Sequence, residues 1–271
     1  MAQFFVGMAG WTYEPWRSDF YPTGLRQADE LSYASKQVSS IELHGSFYSL
    51  QKPSSWQKWR EAAPADFVFA VKAPRFITHV RRLDDVAEPV ANFFASGILA
   101  LGPKLGPVLW QLPPNLDFDV EKLEAFLKLL PRTTDEGVEV AKGRGDRMTG
   151  REYLETATDR PLRHAIEVRN FSFDDTDFAA LLEQYGVAAV LGDSKDRWPQ
   201  LDWVTADFAY ARLHGDRELY SAGYDSEGFD TWEEWTRDHL DHDRDAYVYF
   251  DNDHKTHAPF DAMELLARSR S

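Results

Sequence analysis

Two ionisable residues lie on one face of a short segment that otherwise looks like a buried strand. In SSIELHGSFYSL, residues 39–50, Glu42 and His44 are separated by one apolar residue. Because strand side chains alternate between two faces, the carboxylate and the imidazole point the same way, opposite to Ile41 and Leu43. A carboxylate beside an imidazole can transfer a proton, ligate a metal or pair with a neighbouring charge. The spacing predicts that this face is part of the wall of a functional site.

The same alternation recurs at the ends of other strand-like segments. Their polar side chains are Lys72, Gln111, Glu167, Arg169, Asp193, Arg212, His214, Asp251, Asn252 and Asp253. An unpaired buried charge costs several kcal/mol, so a set of this size needs mutual pairing or a ligand. We favour a binding site. The alternative is that the two arginines only neutralise the two glutamates, and pairing and ligand binding can coexist.

Short apolar segments alternate with helix-like ones along the whole chain, and these elements must position the polar set. The strand candidates are residues 4–10, 39–47, 67–73, 107–112, 164–170, 186–193, 208–215 and 246–252. The helix candidates are residues 119–130, 175–186, 231–240 and 259–269. Eight strands alternating with helices over about 250 residues predict an α/β fold, a (β/α)8 TIM barrel that forms a single domain over residues 1–271. A doubly wound open sheet is the alternative, disfavoured because no GxGxxG or GxxxxGK(S/T) loop follows the first strand.

The polar side chains concentrate toward the C-terminal ends of these strands. Barrel strands turn one face to the helices and the other to the barrel axis, and barrel enzymes place catalysis at the C-terminal face. The sequence therefore predicts a site at the C-terminal mouth of the barrel. Residues 133–161 lead into the fifth strand, so we assign them to the helix side, away from that mouth.

Composition narrows the classes of partner and chemistry. The net charge of −15 and pI of about 4.9 disfavour bulk binding to nucleic acid or anionic lipid. The absence of cysteine excludes disulfides, thiolate metal sites and a cysteine nucleophile. No apolar run is long enough for a membrane span, and the N-terminus lacks the pattern of a signal peptide. We therefore expect a cytoplasmic protein without a membrane partner.

Seven segments, in order along the chain, resemble the DUF72 family, also called YecE-like. They are GMAGWTYEPWRSDFYP (7–22), SSIELHGSFYSLQKPSSWQKW (39–59), FVFAVKAPRFITHVRRL (67–83), GPVLWQLPPNL (106–116), HAIEVRNFSF (164–173), TADFAYARLHG (205–215) and YVYFDND (247–253). The resemblance implies a TIM barrel. It implies no known reaction, and a relation to nuclease-like barrels is an analogy at the level of the fold.

The resemblance also carries motif positions onto this chain. They are Trp11, Tyr13, Trp16, Glu42, Phe47, Tyr48, Lys72, Thr78, His79, Gln111, Pro113, Pro114, Glu167, Arg169, Asp193, Arg212, His214 and Gly215. The sequence departs from the family pattern at His44, where a small polar residue is usual, at Asn170, where His is usual, and at Asp251, where Asn is usual. These changes add a candidate metal ligand at 44 and remove one at 170.

The cations predicted near the mouth suit an anionic ligand. They are Lys72, Arg75, His79, Arg169, Arg212 and His214. Arginine offers a bidentate fork and lysine a point charge to a phosphate or carboxylate. A glycosidase with Glu42 and Glu167 as its acid and nucleophile is disfavoured, because adjacent arginines would keep both glutamates ionised.

A divalent metal is a further option for the site. The candidate ligands are His44, Glu167, Asp193 and His214, with Glu42 or Asp251, and such a metal would activate water for phosphodiester hydrolysis. The pattern contains no HxH or HExxH spacing. The segment DNDHKTH, residues 251–257, is a second candidate source of ligands.

The first loop is rich in aromatic residues. Trp11, Tyr13 and Trp16 follow the first strand, with Phe20 and Tyr21 farther along. They either stack on a ring of the substrate or plug the top of the barrel, and we favour the plug. The tryptophans of WQKW, residues 56–59, are predicted to pack a helix.

The sequence thus predicts a hydrolase that acts on a phosphorylated or otherwise anionic substrate. A nuclease-like phosphoesterase is one form of this prediction. The predicted catalytic residues are Glu42, Glu167, His214 and Asp193. The predicted substrate-binding residues are Trp11, Tyr13, His44, Tyr48, Lys72, Arg75, His79, Gln111, Arg169, Arg212, Asp251 and Asn252. The alternative is a non-catalytic module that binds a nucleotide, a nucleic-acid end or an anionic metabolite.

Overall fold

The computed structural model describes residues 1–215, 223–252 and 256–269. Eight parallel strands close into a barrel in sequence order, with helices between them, which confirms the predicted (β/α)8 fold. The strands are β1 (Phe4–Ala9), β2 (Ser40–Leu43), β3 (Val68–Lys72), β4 (Leu105–Gln111), β5 (His164–Glu167), β6 (Ala188–Asp193), β7 (Phe208–Leu213) and β8 (Asp245–Phe250).

The α-helices lie between successive strands, except between β6 and β7, and after β8. They are α1 (Trp16–Asp19), α2 (Glu30–Ala34), α3 (Gly45–Tyr48), α4 (Pro53–Ala62), α5 (Ala87–Ala95), α6 (Val120–Leu127), α7 (Thr134–Lys142), α8 (Thr176–Tyr185), α9 (Ser226–Asp241) and α10 (His257–Arg268). Short 3₁₀ segments cover Gln27–Asp29, Ile98–Lys104, Asp146–Met148 and Phe171–Phe173, and a π-helical turn covers Phe76–Val80. None of the helices in the described part of the chain is long and apolar enough to cross a membrane.

Local sequence signals account for the ends of the predicted helices. Asp119 caps α6 by accepting a hydrogen bond from the backbone N–H of Lys122 at 3.0 Å. Asp175 caps α8 in the same way, and Gly186 ends that helix in the left-handed region at φ 62°. These are the side-chain cap and glycine stop that helices favour.

Most predicted strands agree with the structure to within about two residues, but two are much shorter than expected. The segment 39–47 is a strand only over Ser40–Leu43, because the chain turns into α3 directly after His44. The segment 164–170 is a strand only over His164–Glu167, and a 3₁₀ turn follows at Phe171. The side chains beyond each strand therefore lie in the loops at the C-terminal mouth.

Alternation divides the side chains of the barrel between two environments. One set packs against the helices, and it includes Ile41, Val71 and Trp110. The other set fills the barrel interior: Phe5, Ala70, Leu109, Ala165, Ala188, Val190, Phe208, Tyr210, Tyr247 and Tyr249. The rings of Phe5 and Tyr247 stack with centroids 4.7 Å apart. Charged residues next along the strands, such as Glu42 and Arg212, thus lie above a largely aromatic interior.

Glycine is required in β1 where that strand pairs with β2. A Cβ atom on Gly7 would lie 1.7 Å from the carbonyl oxygen of Ser40, its partner in the register. A methyl group at this position would force the two backbones apart and strain the closed barrel. Gly192 in β6 is a matched control, because a Cβ there meets no atom within 4 Å.

We expect Gly7→Ala to lower the free energy of unfolding by about 3 kcal/mol, and Gly192→Ala to change it by less than about 1 kcal/mol. Urea denaturation followed by circular dichroism measures both values. Equal stabilities for the two variants would contradict the close contact between β1 and β2.

Candidate functional site

A buried arginine organises the C-terminal mouth of the barrel. Arg212, at the end of β7, has no exposed surface. Its Nε and Nη2 atoms donate to the two carboxylate oxygens of Glu42, each at 3.1 Å. Its Nη1 donates to Glu167 at 2.7 Å, and Nη2 also donates to Asp251 at 2.9 Å. One guanidinium therefore joins carboxylates that lie in β2, in β5 and directly after β8.

These contacts keep the carboxylates ionised. Burial alone would raise the pKa of Glu42, but Arg212 and His44 outweigh it and lower the pKa to about 2. Burial likewise acts to raise the pKa of Glu167, yet Arg169 and Arg212 hold it well below its ordinary value. Neither carboxyl can hold a proton at neutral pH, so neither can act as a general acid.

Neighbouring side chains complete the hydrogen bonding of the two glutamates. The hydroxyl of Tyr210 donates to Glu42 at 2.6 Å. Gln111 donates from Nε2 to Glu167 at 2.8 Å, and Arg169 donates from Nε to the other oxygen of Glu167, also at 2.8 Å. The cluster is thus built of paired charges, as a buried set of this size requires.

His44 connects the buried cluster to solvent. Its Nε2 lies 2.5 Å from Glu42 Oε1, and its side chain is 20% exposed. The ring borders a cleft of about 380 Å³ whose walls include Trp11, Tyr13 and Tyr48. A carboxylate that holds an imidazole in this way fixes its tautomer and stabilises the protonated ring.

The aromatic first loop contributes both a plug and a wall. Trp16, Phe20 and Tyr21 are buried and pack on one another, as the plug hypothesis requires. Trp11 and Tyr13 are only partly buried and line the cleft beside His44. Trp11 also meets Trp59 of α4 edge-on at 5.7 Å. The tryptophans of WQKW pack on each other in α4, with centroids 5.1 Å apart.

A second cleft opens on the β5–β6 side of the mouth. Its volume is about 560 Å³, and its walls include Arg169, Arg197, Trp198 and Phe171. The guanidinium of Arg169 lies 3.9 Å from the ring centroid of Trp198, and that of Arg197 lies 5.5 Å from the same centroid. Phe171 is 60% exposed. Guanidinium groups beside flat apolar surfaces suit an anion that carries a ring or chain.

Lys72, the last residue of β3, and His79, which follows that strand, lie at the mouth. The Nζ of Lys72 is 4.4 Å from the ring centroid of Phe47, and His79 meets the same ring edge-on at 5.2 Å. Burial, together with Lys72 and Arg169, lowers the pKa of His79 to about 4. His79 is therefore neutral at pH 7 and does not add to the positive charge that the sequence suggested there. Arg75 is exposed and close enough to contribute to the same shift.

His214 lies below the surface of the mouth. Its side chain has no exposure, its Nδ1 is 3.2 Å from Asp251 Oδ2, and Trp198 covers it edge-on at 5.5 Å. Burial lowers its pKa, although Asp251 acts in the opposite direction. A ring in this position supports Asp251, and a substrate at the mouth does not reach it without movement of Trp198.

Two predicted site residues lie elsewhere, which corrects their assignment to the inward face. Asp193 continues the outward side of β6, accepts a hydrogen bond from Tyr224 at 2.6 Å and borders an outer cleft with Trp232. Asn252 is buried and donates to Asp261 of α10 at 2.8 Å. Asp193 is the last residue of β6 and alternates outward from Val190, whereas Asn252 continues the outward side of β8 past the end of that strand.

One proposed metal ligand, Asp193, is consequently separated from the others, whereas His214 lies 3.9 Å from Glu167 and 3.2 Å from Asp251. Asp193 lies on the other side of β6 from Glu167 and His214, and across residues 1–215, 223–252 and 256–269 no group of three or more histidine and acidic side chains is placed to hold a metal ion. Of the second candidate source, residues 251–257, Asp253, His254 and Lys255 lie outside the described residues.

Sequence reasoning missed two residues of the site. Tyr210 precedes Arg212 by two positions on the same face of β7, so the alternation that identified Arg212 could also have identified it. Trp198 lies in the loop after β6, where no periodic signal exists, and only the fold brings it to Arg169.

A closed eight-stranded barrel with a polar cluster at the carboxyl ends of its strands defines a TIM-barrel protein. The chain belongs to the DUF72 family: the family described as "Protein of unknown function DUF72" matches residues 5–271.

Individual relatives agree with this assignment. The chain is 30% identical to UPF0759 protein YecE of Escherichia coli K12 over 139 residues, 50% of this chain and 47% of YecE. It is 29% identical to UPF0759 protein YunF of Bacillus subtilis over 129 residues, 46% of this chain and 44% of YunF. The matches thus span about half the length of these relatives. A crystal structure of a DUF72 family protein from Thermotoga maritima superposes with a TM-score of 0.77 at 23% identity, covering 99% of this chain and 100% of that one, and supports the fold.

The ionised state of Glu42 makes stability depend on pH. A carboxyl whose pKa falls from 4.5 to about 2 on folding stabilises the protein above pH 4.5, and the contribution is lost as the pH falls through about 2. We expect the free energy of unfolding of the wild type to fall by about 3 kcal/mol more than that of Glu42→Gln between about pH 5 and pH 2.

Urea denaturation at a series of pH values measures this difference. Glu121→Gln, at an exposed position of α6, is the control and should follow the wild-type curve. Parallel curves for the wild type and Glu42→Gln would contradict the role of Glu42 in the cluster.

Proposed function

We propose that this protein is a hydrolase that acts on a phosphorylated or otherwise anionic substrate at the C-terminal mouth of the barrel. The observation that carries the proposal is the Glu42–His44 pair, in which a permanently ionised, buried carboxylate holds a partly exposed imidazole at 2.5 Å. Such a pair is suited to take a proton from water at the mouth of a cleft.

The anion-binding part of the proposal rests on Arg169. Its Nε pairs with Glu167, and its guanidinium plane lies over Trp198 in the cleft shared with Arg197. Glu167 is joined through Arg212 to Glu42, so the anion cleft and the His44 cleft flank one cluster. An anion in this cleft would place its attached group toward the barrel axis.

The residues divide into those that touch substrate and those that position them. His44 accepts the proton of the attacking water, and Glu42 stabilises the imidazolium that results. Arg169 and Arg197 neutralise the developing charge on the substrate. Arg212 has no exposed surface and donates to carboxylates of this chain, so we assign it a positioning role in place of the anion-binding role suggested by the sequence. The sequence analysis gave Glu42 a catalytic role, and we assign it a positioning role, because His44 takes the proton and Glu42 holds His44.

A non-catalytic binding module is the second candidate. The observation that favours it is the cleft that contains Arg169 and Arg197. The exposed Phe171 and the buried Trp198 form its apolar walls. A nucleotide or anionic metabolite can be held there without any proton transfer. This candidate requires Arg169 and does not require His44.

Two substitutions separate the candidates. We expect hydrolysis of p-nitrophenyl phosphate or bis(p-nitrophenyl) phosphate, measured by p-nitrophenolate release with and without Mg²⁺ and Mn²⁺. His44→Gln should lower kcat by about 100-fold, because it removes the proton acceptor. Arg169→Gln should mainly raise KM, because it removes a contact to the anion.

His242→Gln is the matched control, because His242 is an exposed histidine at the end of α9. It should retain wild-type activity. Binding of inorganic phosphate that Arg169→Gln abolishes, with no turnover of either ester by the wild type, would instead identify a binding module.

A further inference from the structure

One lysine at the mouth is largely buried, and the described residues give its amine no hydrogen-bond acceptor. Lys72 ends β3, faces the barrel interior and is 7% exposed. Within the part of the chain that the structure describes, its Nζ makes no hydrogen bond and no ion pair, and its nearest described contact is the face of Phe47 at 4.4 Å. A buried ammonium is costly unless it is paired, so this amine needs another explanation.

A second buried lysine shows the ordinary arrangement. Lys104 is 8% exposed, and its Nζ donates to the carbonyl oxygens of Arg60 and Ala63, each at 2.6 Å. Its amine is thus held by hydrogen bonds to two backbone carbonyl oxygens. The contrast identifies Lys72 as an amine whose partner is not supplied by residues 1–215, 223–252 or 256–269.

The carboxylates near Lys72 do not supply that partner. Glu42, Glu167 and Asp251 are all bonded to the guanidinium of Arg212. Burial and the positive charge of Arg212 lower the pKa of Lys72 to about 8, although these three carboxylates act in the opposite direction. About a tenth of the amine is therefore neutral, and hence nucleophilic, at pH 7, and about half is neutral at pH 8.

We infer that Lys72 forms an imine with the carbonyl group of an anionic aldehyde or ketone that binds at the mouth. The anionic group would occupy the Arg169 cleft, so the inference rests on the anion site of the proposed function. It does not rest on the hydrolytic step. A buried, unbonded amine beside an anion cleft is an arrangement that suits covalent catalysis on carbonyl compounds.

The reaction balances without any additional reagent. The nitrogen lone pair of Lys72 forms a bond to the carbonyl carbon, and the carbonyl oxygen takes up a proton to give a carbinolamine. The nitrogen then forms its second bond to carbon while the hydroxyl leaves as water. Two hydrogens of the amine and the carbonyl oxygen form that water. His79, whose ring is neutral and contacts the same Phe47 ring, can accept a proton from the nitrogen.

The imine restores the charge balance of the cluster. In its protonated form it carries the same positive charge as the lysine it replaces, and it lies close to the carboxylates that surround Arg212. Phe47 covers one side of the group and limits access of water. The alternative role for Lys72 is a simple point charge that attracts an anion, and this alternative does not require the amine to lose a proton.

Reductive trapping tests the inference directly. The protein is incubated with glyoxylate or glycolaldehyde phosphate, the probes, or with uncharged glycolaldehyde, and sodium cyanoborohydride reduces any imine to a stable secondary amine. Intact mass and peptide mapping locate the adduct. We expect Lys72 to be labelled about ten-fold faster than the exposed lysines, and the charged probes to label it faster than glycolaldehyde. Lys104 should remain unlabelled in the same sample.

The labelling rate should rise as the pH increases through about 8, because the neutral amine is the nucleophile. The charged and titratable groups that act on Lys72 in this range are Arg212 from β7, Glu42 from β2, Glu167 from β5, Asp251 after β8 and His79 after β3. Of these, Glu42 has its pKa lowered to about 2 and His79 to about 4, and the pKa values of Glu167 and Asp251 lie well below their ordinary values, so these groups do not titrate with the lysine.

Variants separate this inference from the proposed function. Lys72→Arg keeps the positive charge, cannot form an imine and should lose the adduct, whereas His44→Gln should keep the adduct and lose ester hydrolysis. An adduct at Lys72 in a wild type that hydrolyses neither phosphate ester would leave the imine standing and remove the hydrolase. Labelling of the wild type that is spread over the exposed lysines and spares Lys72 would overturn the inference, and this result needs no variant to fold.

Discussion

The barrel of this protein depends on the guanidinium of Arg212 being buried among carboxylates. A closed barrel normally excludes charge from its axis, and this one accepts charge because a single cation bonds to side chains from β2, β5 and β8 at once. Removing Arg212 would take from all three carboxylates the buried cation that they share. Other parts of the mouth are arranged around this constraint: Tyr210 and Gln111 complete the hydrogen bonding, and His44 and Arg169 connect the cluster to solvent.

The cluster also separates positioning from chemistry. Arg212 and His214 have no exposed surface, are bonded to or packed against carboxylates and cannot meet a ligand directly. Three groups lie at the surface of the cluster, and each has a different proposed role. His44 accepts a proton, Arg169 binds an anion and the amine of Lys72 attacks a carbonyl carbon. A rigid charged layer above an aromatic interior holds these groups at fixed places on the same mouth.

The sequence was sufficient for the barrel and for the centre of the candidate site, because both depend on simple periods. The two-residue period of strand side chains predicted that Glu42, Lys72 and Arg212 lie on the inner face. The number of strands alternating with helices predicted the barrel. It failed for Asp193 and Asn252, which come at or after the strand ends, where the sequence does not mark which face is inward. It also failed for Trp198, since contacts between loops depend on the completed fold. The unbonded state of Lys72 is likewise a property of three dimensions, because it depends on Arg212 having taken the nearby carboxylates.

The order in which these charges occur along the chain affects how the barrel can be made. Arg212 follows Glu42 by 170 positions and Glu167 by 45, so during synthesis both carboxylates leave the ribosome well before the cation that they bind. Until β7 is complete, a barrel axis that contains them must remain hydrated, because dehydrating an unpaired carboxylate is too costly. Water can therefore leave the barrel interior only after Arg212 has been synthesised, when nearly the whole chain is present. A partial barrel is not stabilised in a closed form.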